Sequence, residues 1–475
     1  MHPLAHLDHN HIWHPFTQMK DWLKHEPIVL VKGRRSTVTD AHGKTYIDAN
    51  SSIWTNLHGH DHPAINRAIR QQLRRVAHTS ALGLANEPAS LLAEQLIQRV
   101  GQKGSPDSIR SNRLQKVFFS DNGSTAMEVA LKLAYEFTRR TRGPKSRPRF
   151  LSLKGAYHGD TVGAVSLGHI DLFHRAYRGL LFRTESVMSP YCYRCPYNRA
   201  SPQRADARDY RRCHLECIQK VERVLTISKQ QNRPISAFVF EPGIQGSAGM
   251  VPQPKGWLKQ VTDMARHHGA LLIADEVLTG LGRSGLHDTG KSPILGSQRE
   301  DVQPDMAALA KGLTGGYLPL AATLTSKAIF DAFLGEYSEF KTFFHGHSYT
   351  ANQLGARSAL ASLELLDSKH SPSHRLHLEE HLRNALKPLW DQPHVGDIRQ
   401  VGLIVGIELV KDWTRRTPYA LEEQAGIRVT QAMTKRGVLT RPIGNVVVLM
   451  PPYCTTPRQV VKIVAALQES MEEVL

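Results

Sequence analysis

Between about residues 86 and 340, short apolar runs alternate with stretches of helical periodicity. The runs include Leu114-Gln-Lys-Val-Phe-Phe-Ser, Arg149-Phe-Leu-Ser-Leu, Ile235-Ser-Ala-Phe-Val-Phe and Ala270-Leu-Leu-Ile-Ala. Strands that alternate with helices predict a mainly parallel sheet covered on both faces, an α/β arrangement. Residues 29–50 differ: β-forming residues flank an Asp40-Ala-His-Gly43 turn, which predicts antiparallel strands. After about residue 350 the pattern predicts helices over 352–368 and 373–390. A strand-rich piece over 396–410 follows, then a helix near 420–436 and a strand at 445–450. The chain therefore divides into an N-terminal segment (1–85), a large domain (86–345) and a small α+β domain (346–475). The first segment is expected to pack with the last. Residues 190–217 interrupt the large domain as an irregular, cysteine-rich insertion.

Composition changes this picture little. The chain has 475 residues, 41% hydrophobic and 22% charged, as in ordinary globular enzymes. No apolar run approaches the roughly 18 residues of a membrane span. The opening Met-His-Pro-Leu-Ala-His lacks a basic leader and an apolar core, so a cytoplasmic protein is expected. The formal charge of +17 comes from dispersed basic residues without a nucleic-acid-binding module, which favours solvated surface over a nucleic-acid or membrane partner. Five histidines between His2 and His14 read as surface residues of an extended arm ending at Pro15.

Two positions break the apolar pattern in a way that demands chemistry. Leu271-Leu-Ile-Ala-Asp275 ends an apolar run with a carboxylate, and Lys311 sits inside Met306-Ala-Ala-Leu-Ala-Lys311-Gly-Leu. A buried acid and a buried amine are both costly without partners. Pyridoxal phosphate supplies both: its aldehyde takes the lysine as a Schiff base, and its protonated ring nitrogen pairs with the aspartate. Lys311 would then be the base that moves a proton once substrate displaces it. The other candidates follow strand ends, where parallel-sheet enzymes carry their chemistry. Ser120-Asp-Asn-Gly123-Ser124-Thr opens a helix expected over 126–135 and offers backbone N–H groups to a phosphate. Tyr157, in Gly155-Ala-Tyr157-His158-Gly-Asp160, can stack on a pyridine ring. Glu241 can orient ring substituents or contact a substrate amine. Phe343-Phe-His-Gly346-His347-Ser348 supplies a glycine turn and a hydroxyl, and Arg441 can take a carboxylate bidentately.

Cys192, Cys195, Cys213 and Cys217 form a C-x2-C…C-x3-C set. In an intracellular chain this spacing suggests a tetrahedral zinc or iron–sulfur site, with packed reduced thiols as the alternative.

With these residues laid out, the chain resembles the class III aminotransferases, which are fold type I pyridoxal phosphate enzymes. The resemblance runs from Trp13 to about Pro452. Asp275-Glu-Val with Lys311 marks the broad class. Trp13-His-Pro-Phe16-Thr-Gln-Met-Lys, Ser51-Ser-Ile-Trp54-Thr-Asn-Leu-His-Gly-His, Gly155-Ala-Tyr-His-Gly-Asp-Thr and the stretch from Thr440-Arg-Pro-Ile-Gly to Pro452 are similar to its biotin-biosynthesis branch. The resemblance implies a mainly parallel seven-stranded sheet in the large domain. It also implies a homodimer with active sites at the subunit interface, and ping-pong transfer of an amino group to 7-keto-8-aminopelargonate. Gly123 and Ser124 would hold the cofactor phosphate, with Ser348 contributing from a partner subunit beside Gly346 and His347. Tyr157, His158, Glu241 and Asp275 would surround the ring. Phe16, Trp54 and Arg441 would bind the keto acid, Arg441 taking its carboxylate.

Two positions depart from the better-known S-adenosylmethionine-using pattern: Phe16 replaces a tyrosine and Ile53 the first of a tryptophan pair. They leave S-adenosylmethionine or lysine as donor. Two other readings compete: an ω-aminotransferase acting on diamines or ω-amino acids, and a non-catalytic cofactor-binding regulator. The absence of a DNA-binding module argues against the second.

Overall fold

The computed structural model describes residues 1–101, 113–287, 290 and 292–475. Its centre is a seven-stranded sheet. From one edge to the other the strands are Leu114–Ser120, Ala321–Ser326, Met306–Leu309, Leu271–Asp275, Ala237–Phe240, Phe150–Leu153 and Glu185–Val187. Every neighbouring pair is parallel except those made by Ala321–Ser326, which runs antiparallel to both its neighbours. Met306–Leu309, Ala237–Phe240 and Phe150–Leu153 are buried at every position. A strand covered on both faces has no polar side to show, so it reads as an unbroken apolar run.

The helix after the first strand spans Gly123–Arg142, starting three residues earlier than its apolar periodicity and running seven further. Its start is set by a reciprocal cap: Asn122 Oδ1 accepts from Thr125 N at 3.0 Å, and Asn122 N donates to Thr125 Oγ1 at 3.2 Å. The helix Gln353–Leu366, lined with small residues, packs on the turn that follows Met306–Leu309. Ser358 Oγ donates to Thr314 O at 3.0 Å and anchors that turn.

Residues Leu30–Arg34, Thr37–Asp40 and Thr45–Asp48 form the antiparallel meander read from the alternating pattern. Its last strand pairs in parallel with Val438–Leu439, tying the N-terminal segment to the C-terminal part of the chain. A second antiparallel sheet joins Val395–Val401, Ile404–Asp412, Val446–Leu449 and Pro442–Ile443. The extended N-terminal arm is corrected: Pro3–His11 is a helix, because His2 caps it through Nδ1 and Pro3 suits its first turn. Among the described residues, no helix is long and apolar enough to cross a membrane.

The zinc or iron–sulfur reading of the insertion finds no support in the structure. Among the described residues, no group of three or more His, Cys, Asp or Glu could hold a metal ion. Cys192, Cys195, Cys213 and Cys217 line one cleft as free thiols. Burial pushes the Cys192 thiol up to about 12 and the Cys217 thiol up to about 11. Asn198 does the stapling instead: its Nδ2 donates to Cys192 O at 3.0 Å, while its Oδ1 accepts from Ala200 N and Arg212 N.

Candidate active site

The carboxyl ends of the parallel strands open into a cavity of about 710 Å³. Trp54, Gly123, Ser124 and Tyr157 line it, as do His158, Glu241, Asp275 and Lys311. Eight of the sequence-predicted residues, drawn from six separate segments, therefore meet in one place.

The floor is set by Asp275, the last residue of its strand. Its Oδ2 accepts from or pairs with His158 Nδ1 at 2.7 Å, and its Oδ1 accepts from Val277 N at 3.1 Å. Burial works to lower the His158 pKa, but the hydrogen bond and charge of Asp275 outweigh it and hold His158 above the ordinary histidine value. His158 Nε2 is buried without a hydrogen-bond partner. The adjacent Glu276 is fully satisfied by Gly296 N, Ser297 N, Ser297 Oγ and Thr279 Oγ1, so it is a structural acid. Lys311 follows its strand in a short turn with φ of 45°. Burial pushes its amine below the ordinary lysine value, and Asp275 and Glu241 oppose that shift. Its Nζ lies 4.9 Å from the centre of the Trp54 ring.

At one wall the helix Gly123–Arg142 presents its N-terminus. A side chain at Gly123 would meet Val277 Cγ1 at 2.9 Å, so glycine is required for the helix end to approach the Asp275 loop. Ser124 Oγ accepts from Asp160 N at 3.1 Å, tying that helix end to the Tyr157 loop. Tyr157 donates its hydroxyl to Asp160 Oδ2 at 2.7 Å.

These groups fit pyridoxal phosphate. The helix N-terminus suits its phosphate, Asp275 is placed beneath the cavity as partner for a ring nitrogen, and Lys311 offers a buried amine.

The remaining predicted residues lie elsewhere. Phe16 lines a neighbouring cavity of about 590 Å³ with Asp160 and His174. Arg441 is exposed and donates from Nη2 to Phe16 O at 3.2 Å, so those two positions are linked across the chain. Gly346, His347 and Ser348 do not line the cavity of their own chain. Ser348 is exposed, and its carbonyl accepts from His78 Nε2 at 2.8 Å. Sequence reasoning did not assign Val277, Asp160 or Asn50. Val277 and Asp160 stand inside motifs that were singled out. Nothing in the pattern marks Asn50, whose Oδ1 accepts from Trp54 Nε1 at 2.8 Å.

The sequence profile of the family "Aminotransferase class-III" matches residues 19–471. The chain belongs to the class III aminotransferases. It is a fold type I, pyridoxal-phosphate-dependent transaminase. The chain is 44% identical over 467 residues to an adenosylmethionine-8-amino-7-oxononanoate aminotransferase of Geobacter sulfurreducens, covering 98% of this chain and 97% of the relative. A crystal structure of the like-named aminotransferase from Methanocaldococcus jannaschii superposes with a TM-score of 0.87 at 37% identity, covering 99% of each chain. An amine transaminase from an uncultivated Pseudomonas species, solved in its PLP-bound form, superposes with a TM-score of 0.86 at 31% identity, covering 98% of this chain and 99% of that one. Similarity to this second structure spreads over the class III fold at large, whereas the first two share one printed activity.

Proposed function

We propose that this class III aminotransferase moves an amino group from S-adenosylmethionine to 8-amino-7-oxononanoate (7-keto-8-aminopelargonate), the diamine-forming step of biotin biosynthesis. Full-length relatives of that name support the substrate assignment. The observation that carries the chemistry is the Lys311 amine and the buried Asp275 carboxylate opening into one cavity. Bound there, pyridoxal phosphate supplies the electron sink for the amino-group exchange.

The residues of the chain do the rest. Gly123 and Ser124 bind the phosphate at the helix N-terminus, and Tyr157 stacks against the ring. Asp275, oriented by His158, keeps the ring nitrogen protonated. Lys311 Nζ takes and returns the substrate proton. Arg441, held beside Phe16 at 3.2 Å, receives the carboxylate of the keto acid, and Trp54 lines its apolar chain. Ser348 reaches the phosphate of a neighbouring copy in a cytoplasmic homodimer.

The test is the donor half-reaction. Holoenzyme is mixed separately with S-adenosylmethionine and with lysine, and the visible absorbance of lysine-bound cofactor is followed. Loss with S-adenosylmethionine and recovery on adding the keto acid is expected. Loss with lysine alone would reassign the donor, and no response to either would move the reading to a general ω-aminotransferase. Arg441→Ala should raise KM for the keto acid at least about tenfold and leave the donor KM nearly unchanged. Equal effects on both would remove Arg441 as the carboxylate clamp.

A further inference from the structure

Ser51, Ser52, Ile53 and Trp54 have φ values of 48°, 54°, 81° and 73°. Four consecutive L-residues in the left-handed region form a turn that persists only where the surroundings hold it. A β-branched residue such as Ile53 is the least suited of all to that region. Ile53 is also 44% exposed, so its own burial does not offset the strain.

The turn is clamped at three points. Asp48 accepts from Ser52 N and from Ser52 Oγ, each at 3.0 Å, and is itself paired with His60 Nε2 at 2.9 Å. Ser51 Oγ donates to Met450 O at 2.7 Å and accepts from the buried Arg283 Nη2 at 2.9 Å. Asn50 Oδ1 accepts from Trp54 Nε1 at 2.8 Å. The result of this arrangement is the placement of one ring. Trp54 is buried in the cavity wall, with the centre of its ring 4.9 Å from Lys311 Nζ.

We propose that the left-handed turn Ser51–Trp54 is a positioning element that holds the Trp54 indole as a cation platform for the Lys311 amine when that amine is released from the cofactor, with Asn50 as the residue that fixes the ring. The inference rests on the proposed role of Lys311 as the cofactor-bearing lysine. Once displaced by substrate, Lys311 Nζ holds a proton between taking it and returning it. Burial disfavours that charge. Asp275, paired with His158, and Glu241 favour it, and Tyr157 and Asp160 line the same cavity. An aromatic face adds attraction for the ammonium without adding an acid that would compete for the proton.

The test uses cofactor-free protein. Recombination with pyridoxal phosphate is followed by its visible absorbance across pH, since only the neutral amine attacks the aldehyde. The pH midpoint of that rate reports the Lys311 amine. Trp54→Leu should lower the midpoint by about 0.5 to 1 pH unit, because the ammonium loses its platform. Asn50→Ala should shift it in the same direction by less, and Trp54→Phe should recover most of the wild-type value. Circular dichroism and cofactor stoichiometry establish that each variant folds. If Trp54→Leu does not fold, Asn50→Ala and Trp54→Phe decide the matter. An unmoved midpoint in Trp54→Leu, or in Asn50→Ala beside a shifted Trp54→Leu, overturns the proposal. A wild-type protein that forms no lysine-bound absorbance overturns the parent reading instead.

Discussion

Glu241 and Glu276 close neighbouring strands and are both buried, yet only Glu276 has its lone pairs filled, by four donors. Glu241 accepts one good hydrogen bond, from Gly246 N at 2.7 Å, and a long one from Tyr157 N at 3.5 Å. Burial pushes its pKa up to about 7, Asp275 adds to that rise and His158 opposes it. A carboxyl whose folded pKa exceeds its unfolded value binds its proton more tightly in the folded state. Its contribution to stability is therefore complete at low pH and is lost as pH rises from the unfolded value through about 7. Cofactor-free wild type should lose about 1–3 kcal/mol from this group between pH ~4.5 and ~7.5. Glu241→Gln should flatten that part of the profile in urea titrations at stepped pH. An unchanged slope would show that the carboxyl is already ionised at low pH. Asp275 and Lys311 were legible in the sequence because a charge closing or entering an apolar run is anomalous. Glu276 adjoins the same apolar run, and hydrogen-bond geometry separates this structural acid from the functional one.

The cysteine-rich insertion carries metal-ligand spacing, yet no metal-holding group stands among the described residues. The structure holds the loop with Asn198 and with a buried charge network. Arg399 Nη1 pairs with Glu408 Oε2 at 2.6 Å and with Asp397 Oδ2 at 3.2 Å. Glu408 also takes Arg194 Nη2 at 2.6 Å and the Tyr191 hydroxyl, both from the insertion. Arg399 further donates to Gly249 O and Met250 O, so one side chain joins the insertion, the hairpin beside the cavity and the C-terminal sheet. Removing a buried partner leaves uncompensated carboxylates, so Arg399→Leu should cost about 3–5 kcal/mol in urea unfolding. In thermal unfolding a chelator should leave the wild-type midpoint unmoved, and a drop of several degrees would restore a metal to the insertion. By contrast, the strands Phe150–Leu153 and Ala237–Phe240 were legible within two residues, because burial on both faces leaves no alternation to misread. The antiparallel strand Ala321–Ser326 was not foreseen. Its run Ala-Ala-Thr-Leu-Thr-Ser mixes small and hydroxylated residues that burial alone makes strand-like, with Thr323 Oγ1 donating to Ala126 O.

At the scale of the whole molecule, the chain exposes more large apolar surface than a monomer needs. Leu82 and Tyr337 are each 91% exposed, and Phe344, Leu84 and Tyr349 stand out beside them in sequence. The same stretch carries Gly346, His347 and Ser348, which lie outside the cavity of their own chain. A twofold dimer resolves both observations if this loop completes the site of the other copy, since a shared surface then becomes buried and each cavity gains its missing wall. Two inactive variants distinguish this from a loop that serves its own chain. Lys311→Ala lacks the reacting amine, and Ser348→Trp obstructs the phosphate end. In a mixed dimer with a shared site, one cavity inherits both defects and the other inherits neither. Refolding the two variants together at equal amounts should therefore recover about a quarter of wild-type activity, from half the dimers each carrying one intact site. If the loop served its own chain, every cavity would keep one defect and the mixture would remain as inactive as its parents. Sedimentation of the same mixture as a single dimeric species would show that recovery comes from subunit pairing and not from residual activity of either variant.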